Sequence, residues 1–113
     1  MKRTYKVHKN YIVDPRGCKI YNDIKRHPLL LLDDKKGQIY NVQSVGLSAN
    51  GTPFVTLKMN LDIGCARLPK DMMPWVKCML KMQSNNHVRL FPHYVKFGTT
   101  NGGEHYAQFV ESF

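Results

Sequence analysis

Acidic side chains are scarce in this chain: eight Asp and Glu stand against seventeen Lys and Arg in 113 residues, a formal charge of +9. A surface so lacking in carboxylates favours a polyanionic partner, with nucleic acid first, an anionic membrane surface second and an acidic protein third. Long apolar runs are also missing. The longest is Leu29 to Leu32, far short of the roughly twenty residues needed to cross a bilayer, so a soluble chain with no membrane partner is expected. Met1-Lys2-Arg3 has the charge of a signal-peptide start, but the polar stretch from Tyr5 to Tyr11 supplies no apolar segment after it, which argues against a cleaved signal. Cysteine is limited to Cys18, Cys65 and Cys78, odd in number, widely spaced and without a C-x-x-C pair. That pattern excludes a disulfide framework and fits reduced thiols in a cytoplasm, with no metal site expected. Repeats and low-complexity tracts are absent, and the length suits a single domain over residues 1–113.

What is present is a succession of short strand signals. Asp14-Pro15-Arg16-Gly17 is a turn sequence separating Tyr11-Ile12-Val13 from Cys18-Lys19-Ile20-Tyr21. Pro28 to Asp33 reads as a core strand, and Asp34-Lys35-Lys36-Gly37 as a turn. Gln38 to Ser48 reads as a longer strand whose imperfect alternation implies a bulge near Ser44. Ala49-Asn50-Gly51 is a hairpin signal leading into the alternating run from Phe54 to Asn60, with Val55, Leu57 and Met59 facing inward. From Leu61 to Pro74 the pattern is irregular, with space for one helical turn between Pro69 and Pro74. Val76, Cys78, Leu80 and Met82 alternate as in a strand. Gln83 to Asn86 reads as a turn, and Val88 to Phe91 with Tyr94 to Phe97 as a strand pair or one strand bent at Pro92. Gly98 to Gly103 reads as a loop, and Tyr106, Phe109, Val110 and Phe113 have the spacing of a terminal amphipathic helix. The expected fold is mainly β: a small SH3-like barrel or half-open β-roll with a short C-terminal helix.

The candidate chemistry sits before the apolar run, where Arg26-His27 precedes Pro28 and would stand at the rim of a rigid sheet. Arg16, Lys19 and Lys25 lie nearby in sequence, with Tyr21 and Tyr40 among or just after them. Cations that track phosphates and rings that stack unpaired bases suit single-stranded RNA better than a duplex. The simplest reaction open to this inventory is metal-free, cofactor-free attack of an RNA 2′-hydroxyl on its own phosphate. His27 would transfer the proton, Arg26 would stabilise the phosphorane and Ser44 or Ser48 would hydrogen-bond a phosphate oxygen. His8, His87, His93 and His105 are further histidines of the same chemical type. Asp33-Asp34, set in a Lys-rich turn, reads as a charge-compensated corner rather than a metal site.

Two stretches, Arg26-His27-Pro28-Leu29-Leu30-Leu31-Leu32 and Val42-Gln43-Ser44-Val45, follow a short strand pair ending near Gly17 to Ile20. In this order the chain, over roughly residues 10–60, resembles the MazF/PemK group of toxin endoribonucleases. Here His27 stands where that group has Arg, and Ser44 where it has Thr. The resemblance implies a cytoplasmic toxin-type endoribonuclease cutting single-stranded RNA, a homodimer, and an antitoxin protein with an acidic segment. The other expectation is a non-catalytic module of phage or mobile-element type that binds nucleic acid or inhibits a host protein by occupying its nucleic-acid groove.

Overall fold

The pairing of one long strand organises the molecule. A computed structural model describes residues 10–13, 17–30 and 37–111. Within it β3 (Gln38–Leu47) hydrogen-bonds on one side to β4 (Pro53–Met59) and on the other to β6 (His93–Thr99). β5 (Asp62–Arg67) extends the sheet beyond β4 and β7 (His105–Val110) extends it beyond β6, giving an antiparallel sheet in the order β5-β4-β3-β6-β7. The β3–β4 connection turns at Ala49-Asn50-Gly51, where Gly51 takes a φ of +85°, a conformation open to glycine at little cost. The register slips between Val42 and Ser44, which is the bulge expected from the broken alternation. Among the described residues β5 and β7 do not pair with one another, so the sheet is open rather than closed into a barrel.

Burial on both faces explains why β4 is apolar throughout its first half. Val55 and Leu57 face the main core, which Val42, Val45, Ala66, Leu68, Val95 and Phe97 share with the helix α1 (Met73–Asn86). Phe54 faces the other way, into a smaller cluster with Cys65, Cys18, Ile20 and Ile24. Those last three come from β2 (Lys19–Tyr21), the residue before it and the 3-10 turn Ile24–Arg26. β1 (Tyr11–Val13) pairs with β2, with Tyr11 opposite Tyr21. The sheet is therefore sandwiched unequally, by a helix on one face and by a small hairpin over the β4–β5 end of the other.

The mainly β reading holds, and several elements differ from expectation for identifiable reasons. Residues 73–86 are helical, not a strand followed by a turn. Trp75, Val76, Met79 and Leu80 form the inward stripe, whereas Cys78 is exposed and Met82 is 41% exposed. Apolar residues at 75, 76, 78, 79, 80 and 82 are dense enough to satisfy both periods. Pro74 does not end a helix but sits in its first turn, where the missing N–H costs nothing; the expected single turn is the 3-10 segment Lys70–Met72 leading into it. The expected terminal helix is instead β7, with Ala107 and Phe109 toward the core and Tyr106 over Gly98 on the opposite face. Pairing along the free edge of β6 overrides the local spacing. β5 carries no periodic signal in the sequence because Gly64 and Ala66 leave its core-side positions without large apolar residues. Val88 to Phe91 is not strand, and β6 runs on through Gly98 and Thr99. Met59, expected inward, is 50% exposed at the strand's end. Of the expected core strand Pro28 to Asp33, the described part makes a single bridge, Leu29 with Arg67, with Leu30 buried and Leu29 exposed. Residues 31–36, including Asp33 and Asp34, lie outside the described residues, as does Phe113.

Helix and strand readings of residues 76–82 differ in what Met82 does. Phe97→Ala, which empties a buried position against Trp75 and Tyr40, is expected to lower the free energy of unfolding by about 3–5 kcal/mol in urea titrations. Met82→Ala is expected to change it by no more than about 0.5 kcal/mol. A large loss from Met82→Ala would restore the strand.

Candidate nucleic-acid interface

The segment joining β2 to the first turn is built around one buried side chain. Asp23 caps the 3-10 turn, its Oδ1 accepting the Lys25 N–H at 3.2 Å. Ile24 anchors the turn in the small core, and Lys25 and Arg26 are left exposed. His27 follows with only 7% of its surface exposed. Its Nε2 accepts the backbone N–H of Tyr21 at 3.0 Å, so the neutral ring carries its proton on Nδ1. Its carbonyl oxygen accepts the Nε hydrogen of Arg67 at 2.9 Å. Burial lowers the imidazole pKa below 6.5, and the Arg26 and Arg67 charges lower it further. His27 thus fastens β2 and β5 together as a neutral group.

Around it, tyrosines and cations are layered. The Tyr11 and Tyr21 rings meet edge to face at 5.6 Å, and Tyr21 lies 5.3 Å from the His27 ring. The Arg26 guanidinium sits over the Tyr21 ring at 4.5 Å, and the Lys19 ammonium over Tyr11 at 4.9 Å. Each cation is held by the negative face of a ring. On the same side of the sheet, the register sets Lys58 on β4 and Lys96 and Tyr106 on β6 and β7 facing away from α1. Tyr106 fills the space a side chain at Gly98 would take, and Lys96 and Tyr106 both lean over Gly37. Glycine at these positions lets the phenol ring lie against the backbone.

The expected site residues separate into two groups. Lys19, Tyr21, Lys25, Arg26 and His27 come together on the hairpin and its turn. Ser44 does not join them: its hydroxyl lies 2.6 Å from Thr56 Oγ1 in the sheet, and Thr56 is wholly buried. Tyr40, expected to stack bases, faces the main core beside Phe97, and its hydroxyl donates to Gln38 Oε1. A one-residue step along a strand decides the face, and Tyr40 falls on the helix side. Burial pushes its phenol pKa up. Arg16 and His8 lie outside the described residues. His87 ends α1 in a left-handed conformation, and His93 stacks on Phe109 at 4.4 Å.

Two features of the surface have no signature in the sequence. Arg67 gave no signal, because it lies in a strand that had no visible period. His105 was indistinguishable from other histidines, yet its Nδ1 lies 2.8 Å from Asp71 Oδ1 and its backbone N–H donates to Oδ2. Desolvation acts to raise the Asp71 carboxyl, but those contacts with His105 outweigh it and hold the pKa below the ordinary value. Among the described residues no group of three His, Cys, Asp or Glu is placed to hold a metal ion, and no helix is long and apolar enough to cross a membrane. No family model, curated protein or solved structure gives a significant match to the chain.

The buried imidazole makes stability depend on pH. Its folded pKa is below the unfolded value, so in that window the unfolded chain holds more protons and stability rises with pH. The His27 contribution is fully present above about 6.5 and is lost as the pH falls through the lowered folded value. The melting temperature is expected to drop on acidification through this window, and His27→Gln to flatten the drop. An unchanged slope in the variant would show that His27 is solvated.

Proposed function

We propose that the protein is a module that binds single-stranded nucleic acid without cleaving it. The observation that carries this reading is the layered surface Lys19-Tyr11-Tyr21-Arg26, with exposed Lys25 beside it, on a chain of charge +9. Rings presented with cations suit splayed bases and the phosphates between them, and an open sheet face carrying Lys58, Lys96 and Tyr106 continues the same chemistry. Among the described residues no helix exposes a basic face of the kind that enters a major groove: in α1 the only cations are Lys77 and Lys81.

Cleavage of the toxin type asks more of the same residues, namely a proton acceptor that faces the 2′-hydroxyl. The His27 lone pair is turned inward to Tyr21, so binding accounts for the geometry better than catalysis. A homodimer and an acidic antitoxin are implied by the toxin resemblance alone and form no part of this reading. A cytoplasmic setting goes with it, since three cysteines without a paired motif suit a reducing compartment.

Binding of a mixed-sequence single-stranded RNA, followed by fluorescence anisotropy in EDTA, is expected to weaken by orders of magnitude between low and moderate salt. Replacing both Lys25 and Arg26 with Ala should reduce the salt slope by roughly 0.7 for each phosphate that is no longer neutralised. Tyr21→Ala should weaken binding by about 1–3 kcal/mol if a base stacks there. The RNA should remain full length. Salt-independent binding, or none at low salt, would remove the reading, and fragments in EDTA would reinstate the nuclease.

A further inference from the structure

Where β5 ends, Arg67 and Lys70 face Lys25 of the 3-10 turn across a cleft of about 370 Å³. Asp23 is the one carboxylate lining it among the described residues, and its Oδ1 is already engaged by the Lys25 backbone N–H. Three positive groups and one negative leave an excess of two positive charges. Among the described residues none of the three cations is paired with a carboxylate. Arg67 is also oriented: its Nε donates to the His27 carbonyl, which fixes the plane of the guanidinium and leaves its terminal nitrogens for a second partner. A planar fork held in this way suits the bidentate recognition of a phosphate.

The size and lining of the cleft narrow the ligand. At about 370 Å³ it falls in the range of small-molecule sites and is larger than a bare anion needs. Leu29 and Leu68 give it an apolar wall beside the cations. An internal phosphodiester carries one negative charge, whereas a terminal phosphomonoester carries about 1.5 to 2 near neutral pH. The excess of two positive charges matches the second. We propose that this cleft takes the phosphorylated end of a nucleic-acid strand, one nucleotide bearing a terminal phosphomonoester. The proposal rests on the single-strand reading, because the Tyr21 and Arg26 surface adjoins the same turn and would hold the nucleotides that follow.

The test uses one oligonucleotide sequence in three forms, with a 5′-phosphate, a 3′-phosphate or neither, together with NMR titration of a nucleoside monophosphate alone. One phosphorylated end is expected to bind roughly tenfold tighter than the unphosphorylated strand. Lys25→Ala and Lys70→Ala, both at exposed positions, should each erase most of that preference while keeping the melting temperature. The nucleoside monophosphate should shift the amide signals of residues 67, 68 and 70. Equal affinity for all three strands with no effect of the monophosphate would overturn the cleft and leave the single-strand reading standing. Binding of the monophosphate with no binding of any strand would overturn the single-strand reading and the strand-end proposal with it. A terminal preference that survives both lysine substitutions would also overturn the cleft.

Discussion

The structure depends on a sheet whose second strand must be covered on both faces. Val55 and Leu57 need the helix, while Phe54 and its neighbour Cys65 need something on the opposite side. A single helix cannot do both. The β1–β2 hairpin and its 3-10 turn supply the second cover through Cys18, Ile20 and Ile24, and the hydrophobic gain from that small cluster brings a basic, tyrosine-bearing segment onto the sheet. Packing and surface charge are therefore linked. The residues that close the minor core are interleaved with those that face outward as Lys19, Lys25 and Arg26.

His27 shows how that link is secured. It accepts from the β2 backbone and offers its carbonyl to Arg67 of β5, so one residue joins the cover to the sheet. A buried imidazole flanked by two guanidinium groups serves best when neutral, because a second proton on the ring would displace the Tyr21 N–H and would meet like charge. The residue with the most obvious catalytic chemistry is thereby occupied with holding the site together. The one cation it orients by a hydrogen bond is Arg67, the side chain that the proposed reading assigns to an outside anion.

The pattern of local signals was legible wherever one turn or one period acted alone. The Asn50-Gly51 hairpin, the bulge next to Ser44, the β1–β2 pair and the mainly β class follow from turn chemistry and alternation. Local signals failed where apolar residues were too dense to choose a period, as in Val76 to Met82, or too small to mark one, as in Gly64 to Ala66. They failed again at Tyr106 to Val110, where the unpaired edge of β6 decided for strand.

The same division holds for the candidate site. Composition determined the excess of positive charge, and residue order the placing of Lys19, Lys25 and Arg26 close to Tyr21 along the chain, because these are properties of residue type and sequence distance. Only the tertiary structure decided that Tyr40 faces the core, that Ser44 spends its hydroxyl on Thr56, and that Arg67, forty residues from His27, is fixed by that residue's carbonyl. Those outcomes depend on strand register and on which faces the sheet buries, and neither is settled until distant segments pair and exclude water together.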